Sequence, residues 1–225
     1  MEILLDTANI ELIKRYNDIY NISGVTSNPT IISKEKADFF ETLRNIRQII
    51  GEEKQLHVQV SADSFDKMIK EAECIVQRLG KNTYIKVPTN EVGIKVMKTL
   101  KQKSYKVTAT AIYSLQQAML AASVGADYAA PYFNRMCNCN YDMPAVISDM
   151  VKLYEAHNVK TKLLVASFKN TNQILQSLIA GAQAVTASPE LYSAMLQSPL
   201  VESAIEVFHN DWVKTYGDKR IYELD

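Results

Sequence analysis

The sequence predicts an α/β fold, a (β/α)8 TIM barrel with an additional C-terminal helix. Three observations predict it. Eight short apolar runs occur along the chain, each followed by a stretch with apolar residues at helical spacing. Such alternation implies βαβ units and a parallel sheet, and eight units in about 200 residues fit a barrel near its minimum size. No glycine-rich dinucleotide turn follows the first run, which weakens the competing reading, an open doubly wound sheet.

The runs cover residues 3–6, 24–28, 56–60, 84–88, 107–112, 128–133, 163–167 and 184–188. The amphipathic stretches between them cover residues 10–19, 39–50, 65–79, 93–101, 114–124, 145–157, 171–180 and 189–196. Residues 199–225 lie beyond the eighth unit, with Val201, Ile205, Phe208 and Trp212 on one helical stripe. A barrel does not need this helix, so it packs on its own barrel or on a neighbouring subunit. No linker or low-complexity stretch appears, and the chain reads as one domain over residues 1–225.

Composition narrows the function classes. The 25 basic and 25 acidic residues balance, which argues against a nucleic-acid or membrane partner recognised by a global basic field. The start, Met1-Glu2-Ile3-Leu4-Leu5-Asp6, lacks the basic and apolar regions of a signal peptide. No apolar run spans a bilayer. Three cysteines, Cys74, Cys137 and Cys139, argue against a disulfide framework and fit a reducing cytosol, so a cytoplasmic location is expected.

The informative run is Thr83-Tyr84-Ile85-Lys86-Val87-Pro88. A lysine in a buried strand is costly while charged, and burial lowers its pKa. A neutral amine there is what a Schiff-base lysine needs. The plainer reading is a lysine that snorkels out or pairs with a carboxylate.

The neighbours decide between these readings. A barrel builds its active site at the C-terminal ends of its strands, where residues of period two point inward together. Asp6 ends the first run, Thr26, Ser27 and Asn28 the second, and Gln59 and Lys86 stand near the ends of the third and fourth. Thr110 follows Thr108 on the fifth, Tyr132 then Asn134 and Arg135 close the sixth, and Ser167 then Lys169 close the seventh. Each alone has an ordinary reading: Asp6 as a helix cap with Thr7, Asn28 as a turn, Thr110 as a β-former, Tyr132 as core. Seven polar residues at one layer are not what folding alone selects.

The chemistry they allow is imine formation with a ketone, followed by cleavage or formation of an adjacent carbon–carbon bond. Asp6 can hold a hydroxyl or take its proton, and Gln59, Thr110 and Tyr132 can position one water as proton carrier. Asn28 can hold the donor's hydroxyl. Arg135 suits a phosphate, joined by Ser167 and the amides of the next helix. The substrate class is therefore a phosphorylated sugar, with no cofactor required. A metal-dependent aldolase needs a ligand cluster, but His57, His157 and His209 stand at no ligand spacing, so no metal is expected. His57 reads as core, and Cys137-Asn138-Cys139 lacks two further ligands.

Gly24-Val25-Thr26-Ser27-Asn28-Pro29-Thr30 resembles the second-strand signature of transaldolases, and Ile85-Lys86-Val87-Pro88 the segment bearing their Schiff-base lysine. Ala129-Ala130-Pro131-Tyr132-Phe133-Asn134-Arg135 and Ala166-Ser167-Phe168-Lys169 are similar to that family's sixth- and seventh-strand ends. The resemblance runs from Met1 to about Trp212, and the short chain is similar to the subfamily holding small transaldolases and fructose-6-phosphate aldolases. It implies substrate-binding roles for Thr26, Asn28, Arg135, Ser167 and Lys169. In transaldolases Glu usually stands at the place of Gln59 and Phe at that of Tyr132, so the Gln–Tyr pair resembles fructose-6-phosphate aldolase. The resemblance further implies metal-free class I chemistry and a homo-oligomer, a decamer of two pentamers in which the C-terminal helix reaches a neighbour. Two readings stand beside it: a transaldolase moving a dihydroxyacetone unit to an aldose phosphate, and a sugar-phosphate-binding barrel without catalysis. The chain departs from the pattern at Asn90 and Val92, where the family usually has Ser or Thr and an acidic residue before the glycine. The loop 136–143 is also individual.

Overall fold

The computed structural model describes residues 1–224. In chain order the elements are β1 (Glu2–Asp6), α1 (Ile10–Ile19), β2 (Gly24–Thr26), α2 (Pro29–Lys34), α3 (Phe39–Ile50), β3 (Gln55–Gln59), α4 (Phe65–Leu79), β4 (Thr83–Pro88), α5 (Glu91–Gln102) and β5 (Lys106–Ile112). They continue with α6 (Leu115–Ser123), β6 (Tyr128–Pro131), α7 (Phe133–Cys137), α8 (Met143–Ala156), β7 (Lys162–Val165), α9 (Thr171–Ile179), β8 (Ala184–Ala187), α10 (Pro189–Leu196) and α11 (Pro199–Tyr216). The eight strands are parallel and close into a barrel in sequence order, β8 pairing β1.

The β-branched and apolar runs form strands because both faces are buried. One face packs on the helix ring and the other fills the interior. The lower interior holds Leu4, Tyr128, Leu164 and Ala184, with Tyr84 against them. A polar chain threads the same space. Glu2 accepts from Tyr128 Oη at 2.5 Å and from Gln55 Nε2 at 3.1 Å, and Gln55 Oε1 meets His57 Nε2 at 2.9 Å. The Glu2 carboxylate can only accept, so the Gln55 amide donates to it and turns its oxygen to His57. His57 therefore carries its proton on Nε2, and Nδ1 accepts from Thr108 Oγ1 at 2.8 Å. This is the core role expected of His57, whose ring also stacks on Tyr84 at 4.5 Å.

Side-chain caps begin most of the helices: Asn9, Asn28, Asp38, Asn90, Ser114, Asp142 and Asn170 each accept from a first-turn amide. Asn9, rather than Asp6 with Thr7, caps α1. Two glycines are forced by close approach. A Cβ on Gly24 would stand 2.2 Å from Gln55 O, and one on Gly93 would stand 1.8 Å from Pro88 O. The second contact ties α5 to the end of β4, and the Asn90 cap, accepting from Gly93 N at 2.8 Å, closes that turn.

Several boundaries differ from the sequence reading. The sixth run ends as a strand at Pro131, and Tyr132 keeps only a bridge to Ala166 before α7 begins. Phe133 N and Asn134 N then donate to Ala166 O and Ser167 O, which turns the chain across the barrel mouth. The second and seventh strands likewise stop early, at Thr26 and Val165. Residues 136–137, expected in a loop, finish α7. The extra C-terminal helix is present as α11. None of its residues is buried, and Val201, Ile205 and Phe208 are 54%, 60% and 71% exposed.

Candidate active site

Lys86 is 6% exposed near the end of β4, and its Nζ donates to Ser27 O at 2.7 Å. Ser27 is itself held on β3, its N and Oγ both donating to His57 O. Burial pushes the Lys86 amine below its usual range, and the nearby Asp6 charge opposes that shift. Asp6, at the end of β1, is pushed up by burial, with Lys86 and a Thr26 hydrogen bond opposing. Both groups are thus driven toward their neutral forms.

Thr26 Oγ1 donates to Asp6 Oδ1 at 2.6 Å and lies 2.7 Å from Thr186 Oγ1. With Asp6 ionised, Thr26 spends its one hydroxyl proton on the carboxylate, so Thr186 donates to Thr26. Across the barrel Thr110 Oγ1 and Tyr132 Oη are 3.0 Å apart. Burial raises the Tyr132 phenol, and the Thr110 hydrogen bond partly offsets this. Thr110 stands beside a bulge in β5, where the register with β6 slips between Ala109 and Ile112 and Ala111 takes φ +55°.

These side chains line one cavity of about 120 Å³ at the C-terminal mouth of the barrel. Asp6, Thr26, Lys86, Thr110 and Tyr132 form its floor and sides, with Asn28, Arg135 and Ser167 also in its wall and Ala130, Leu164 and Ala166 as apolar wall. Arg135 is exposed on α7. Its Nη1 donates to Tyr113 Oη at 3.0 Å, and its Cζ lies 5.0 Å from the Tyr132 ring centroid. Ser167 takes φ +65°, a left-handed conformation that bends the chain out of β7.

The cavity therefore gathers eight of the ten nominated residues and leaves out two. Gln59 pairs with Lys86 in register, but it lines a neighbouring cavity with Phe39, Phe40 and Ile75. Its Oε1 is buried without a hydrogen-bond partner. Lys169 is exposed beyond the rim, where its N–H donates to Gln173 Oε1. Two contributors escaped the sequence reading. Thr186 shares the inward face of β8 with Ala184, a period-two signal that was there to use. Tyr113 follows the bulge, where counting by two fails.

Chemically, the arrangement offers an amine whose pKa burial lowers, a carboxyl group, a hydroxyl pair and a guanidinium at the rim. Among the described residues no group of three or more His, Cys, Asp and Glu is arranged to hold a metal ion. No helix among them is long and apolar enough to cross a membrane.

Comparison with known proteins adds the following. Residues 3–220 match the family described as Transaldolase/Fructose-6-phosphate aldolase. A protein of Streptococcus pneumoniae named probable fructose-6-phosphate aldolase is 41% identical over 222 residues, which cover 98% of this chain and 100% of that one. Among solved structures, a native KDPGal structure superposes with TM-score 0.60 at 11% identity, covering 87% of this chain and 85% of that one. A mutant flavocytochrome b2 with benzoylformate gives TM-score 0.58 at 11% identity, covering 85% and 58%. At that identity the two structures speak for the barrel alone.

Proposed function

The chain belongs to the transaldolase/fructose-6-phosphate aldolase family, and we propose that within it the chain is a class I aldolase whose Schiff base forms at Lys86. The substrate is fructose 6-phosphate, cleaved reversibly to dihydroxyacetone and glyceraldehyde 3-phosphate. The observation that carries this reading is a buried lysine with a lowered pKa, set in one cavity with Asp6 and the Thr110–Tyr132 pair.

The Lys86 nitrogen attacks the C2 carbonyl, and loss of water from the carbinolamine gives a protonated imine. Asp6 takes the C4 hydroxyl proton as the C3–C4 bond breaks and the electron pair moves toward the imine nitrogen. The aldehyde leaves as glyceraldehyde 3-phosphate. A water held by Thr110 and Tyr132 delivers a proton to C3 of the enamine, and hydrolysis returns the amine and dihydroxyacetone. Gln59, paired with Lys86 in register, lines the neighbouring cavity with its Oε1 unpartnered, and a rotation of its side chain toward Lys86 would bring it to that water. Thr26 fixes Asp6, Asn28 holds a donor hydroxyl, and Arg135 and Ser167 bind the phosphate. Lys169 adds positive charge outside the rim. No metal or cofactor takes part.

A transaldolase is the second reading. It is favoured by one observation: Gln59 lies outside the wall that holds Tyr132. For the whole assembly we propose the decamer of two pentamers, in a cytoplasmic setting, with the exposed stripe of α11 covered by a neighbouring subunit.

Borohydride reduction in the presence of fructose 6-phosphate tests the central step. A ketose adduct on the Lys86 peptide is expected; an unmodified Lys86 with substrate bound would identify a non-catalytic binder.

A further inference from the structure

We propose that Tyr113 is a positioning residue that holds the Arg135 guanidinium in place to receive the substrate phosphate, an inference that rests on the sugar-phosphate reading above. Arg135 sits on a five-residue helix and is exposed. A long exposed cation samples many rotamers, and ordering it on binding costs affinity. Two contacts restrict it here. Tyr113 Oη accepts from Nη1 at 3.0 Å, and the Tyr132 ring lies under Cζ at 5.0 Å. Only one of the five N–H donors is used by Tyr113, so the rest of the fork stays available at the cavity wall.

Tyr113 is a fixed post. Its N–H donates to Gln117 Oε1 at 2.7 Å, and Gln117 Nε2 reaches Thr89 O at 3.4 Å. The β5 bulge sets its direction, since the slipped register pairs Ile112 with Pro131 just before it. Its ring also meets Tyr132 edge to face, with centroids 5.6 Å apart and planes at 73°. From behind the cavity wall Tyr113 thus touches Arg135 at the phosphate end and Tyr132 at the proton-carrying end. Its hydroxyl serves the first and its ring the second, and this separates the two roles experimentally.

Tyr113→Phe removes the hydroxyl and keeps the ring. The expected result is a KM for fructose 6-phosphate raised about three- to fivefold, the size of one exposed charged contact. Inhibition by inorganic phosphate should weaken by the same factor, and kcat should stay within about twofold. For dihydroxyacetone with unphosphorylated glyceraldehyde, KM should not move. Arg135→Leu should raise KM further, and Tyr113→Phe added to it should raise it no more. An unchanged KM in Tyr113→Phe beside a raised KM in Arg135→Leu would overturn the positioning role alone. Equal losses on phosphorylated and unphosphorylated substrates would also overturn it, assigning the tyrosine to the proton-carrying end. No KM change in Arg135→Leu would overturn both this proposal and the phosphate assignment beneath it.

Discussion

Lys86 Nζ donates to the carbonyl oxygen of Ser27 at 2.7 Å. The bond fixes where the amine points, because Ser27 is itself tied to His57 O on the adjacent strand. A neutral amine that spends one N–H on this carbonyl keeps its lone pair for a carbonyl carbon in the cavity. Turnover of Lys86→Ala is therefore expected to fall below detection, with no borohydride adduct, while circular dichroism stays that of a folded barrel. A variant turning over at a near-parental rate would remove the Schiff base from Lys86.

Thr26 lowers the Asp6 pKa against the burial that raises it. Removing that hydrogen bond in Thr26→Val should let the carboxyl pKa rise further. The acid limb of the kcat–pH profile then moves to higher pH, and the rate at neutral pH falls about ten- to a hundredfold, the range for a hydrogen bond to a charged group. A fixed acid limb would show that Asp6 is not the group titrating there.

Tyr132 and Thr110 are 3.0 Å apart, and their shared water is the proposed proton donor to the enamine. Tyr132→Phe should cut cleavage of fructose 6-phosphate by about a hundredfold or more, within the span of general acid catalysis. Transfer to an added aldose phosphate should fall less. Equal losses in cleavage and transfer would refute a protonation role for the phenol.

His57 is fully buried, and its pKa is lowered first by burial and then by Lys86, Arg47 and Lys106. In the unfolded chain it titrates at about 6.5. Below that pH the unfolded chain binds a proton that the native state does not, so stability is fully present above about pH 6.5 and is lost as pH falls. The slope is at most about 1.4 kcal/mol per pH unit. Between pH 7 and 5.5 the parent should lose more Tm than His57→Phe, whose ring can keep the stack on Tyr84. Matching losses would place the acid sensitivity elsewhere.

How far the sequence could be read depends on how regular the backbone is at each position. Asp6, Thr26 and Lys86 are legible because period-two counting holds along a straight strand, and Thr110 because its register with β4 holds up to the bulge; each lines the cavity. The count fails where φ turns positive. Ser167 at +65° ends that regularity, and Lys169 two residues on lies outside the rim rather than in the wall. The bulge at Ala111 hid Tyr113 in the same way. Gln59 has the right parity but lines the neighbouring cavity, a placement that no spacing encodes. Helices α2 and α7 escaped notice because six and five residues are too few to display a helical period.

The most direct test of the aldolase reading is release of glyceraldehyde 3-phosphate from fructose 6-phosphate alone, then with erythrose 4-phosphate added. The account predicts release without an acceptor, at a rate that the acceptor does not control. Release only when erythrose 4-phosphate is present would contradict it and make the protein a transaldolase.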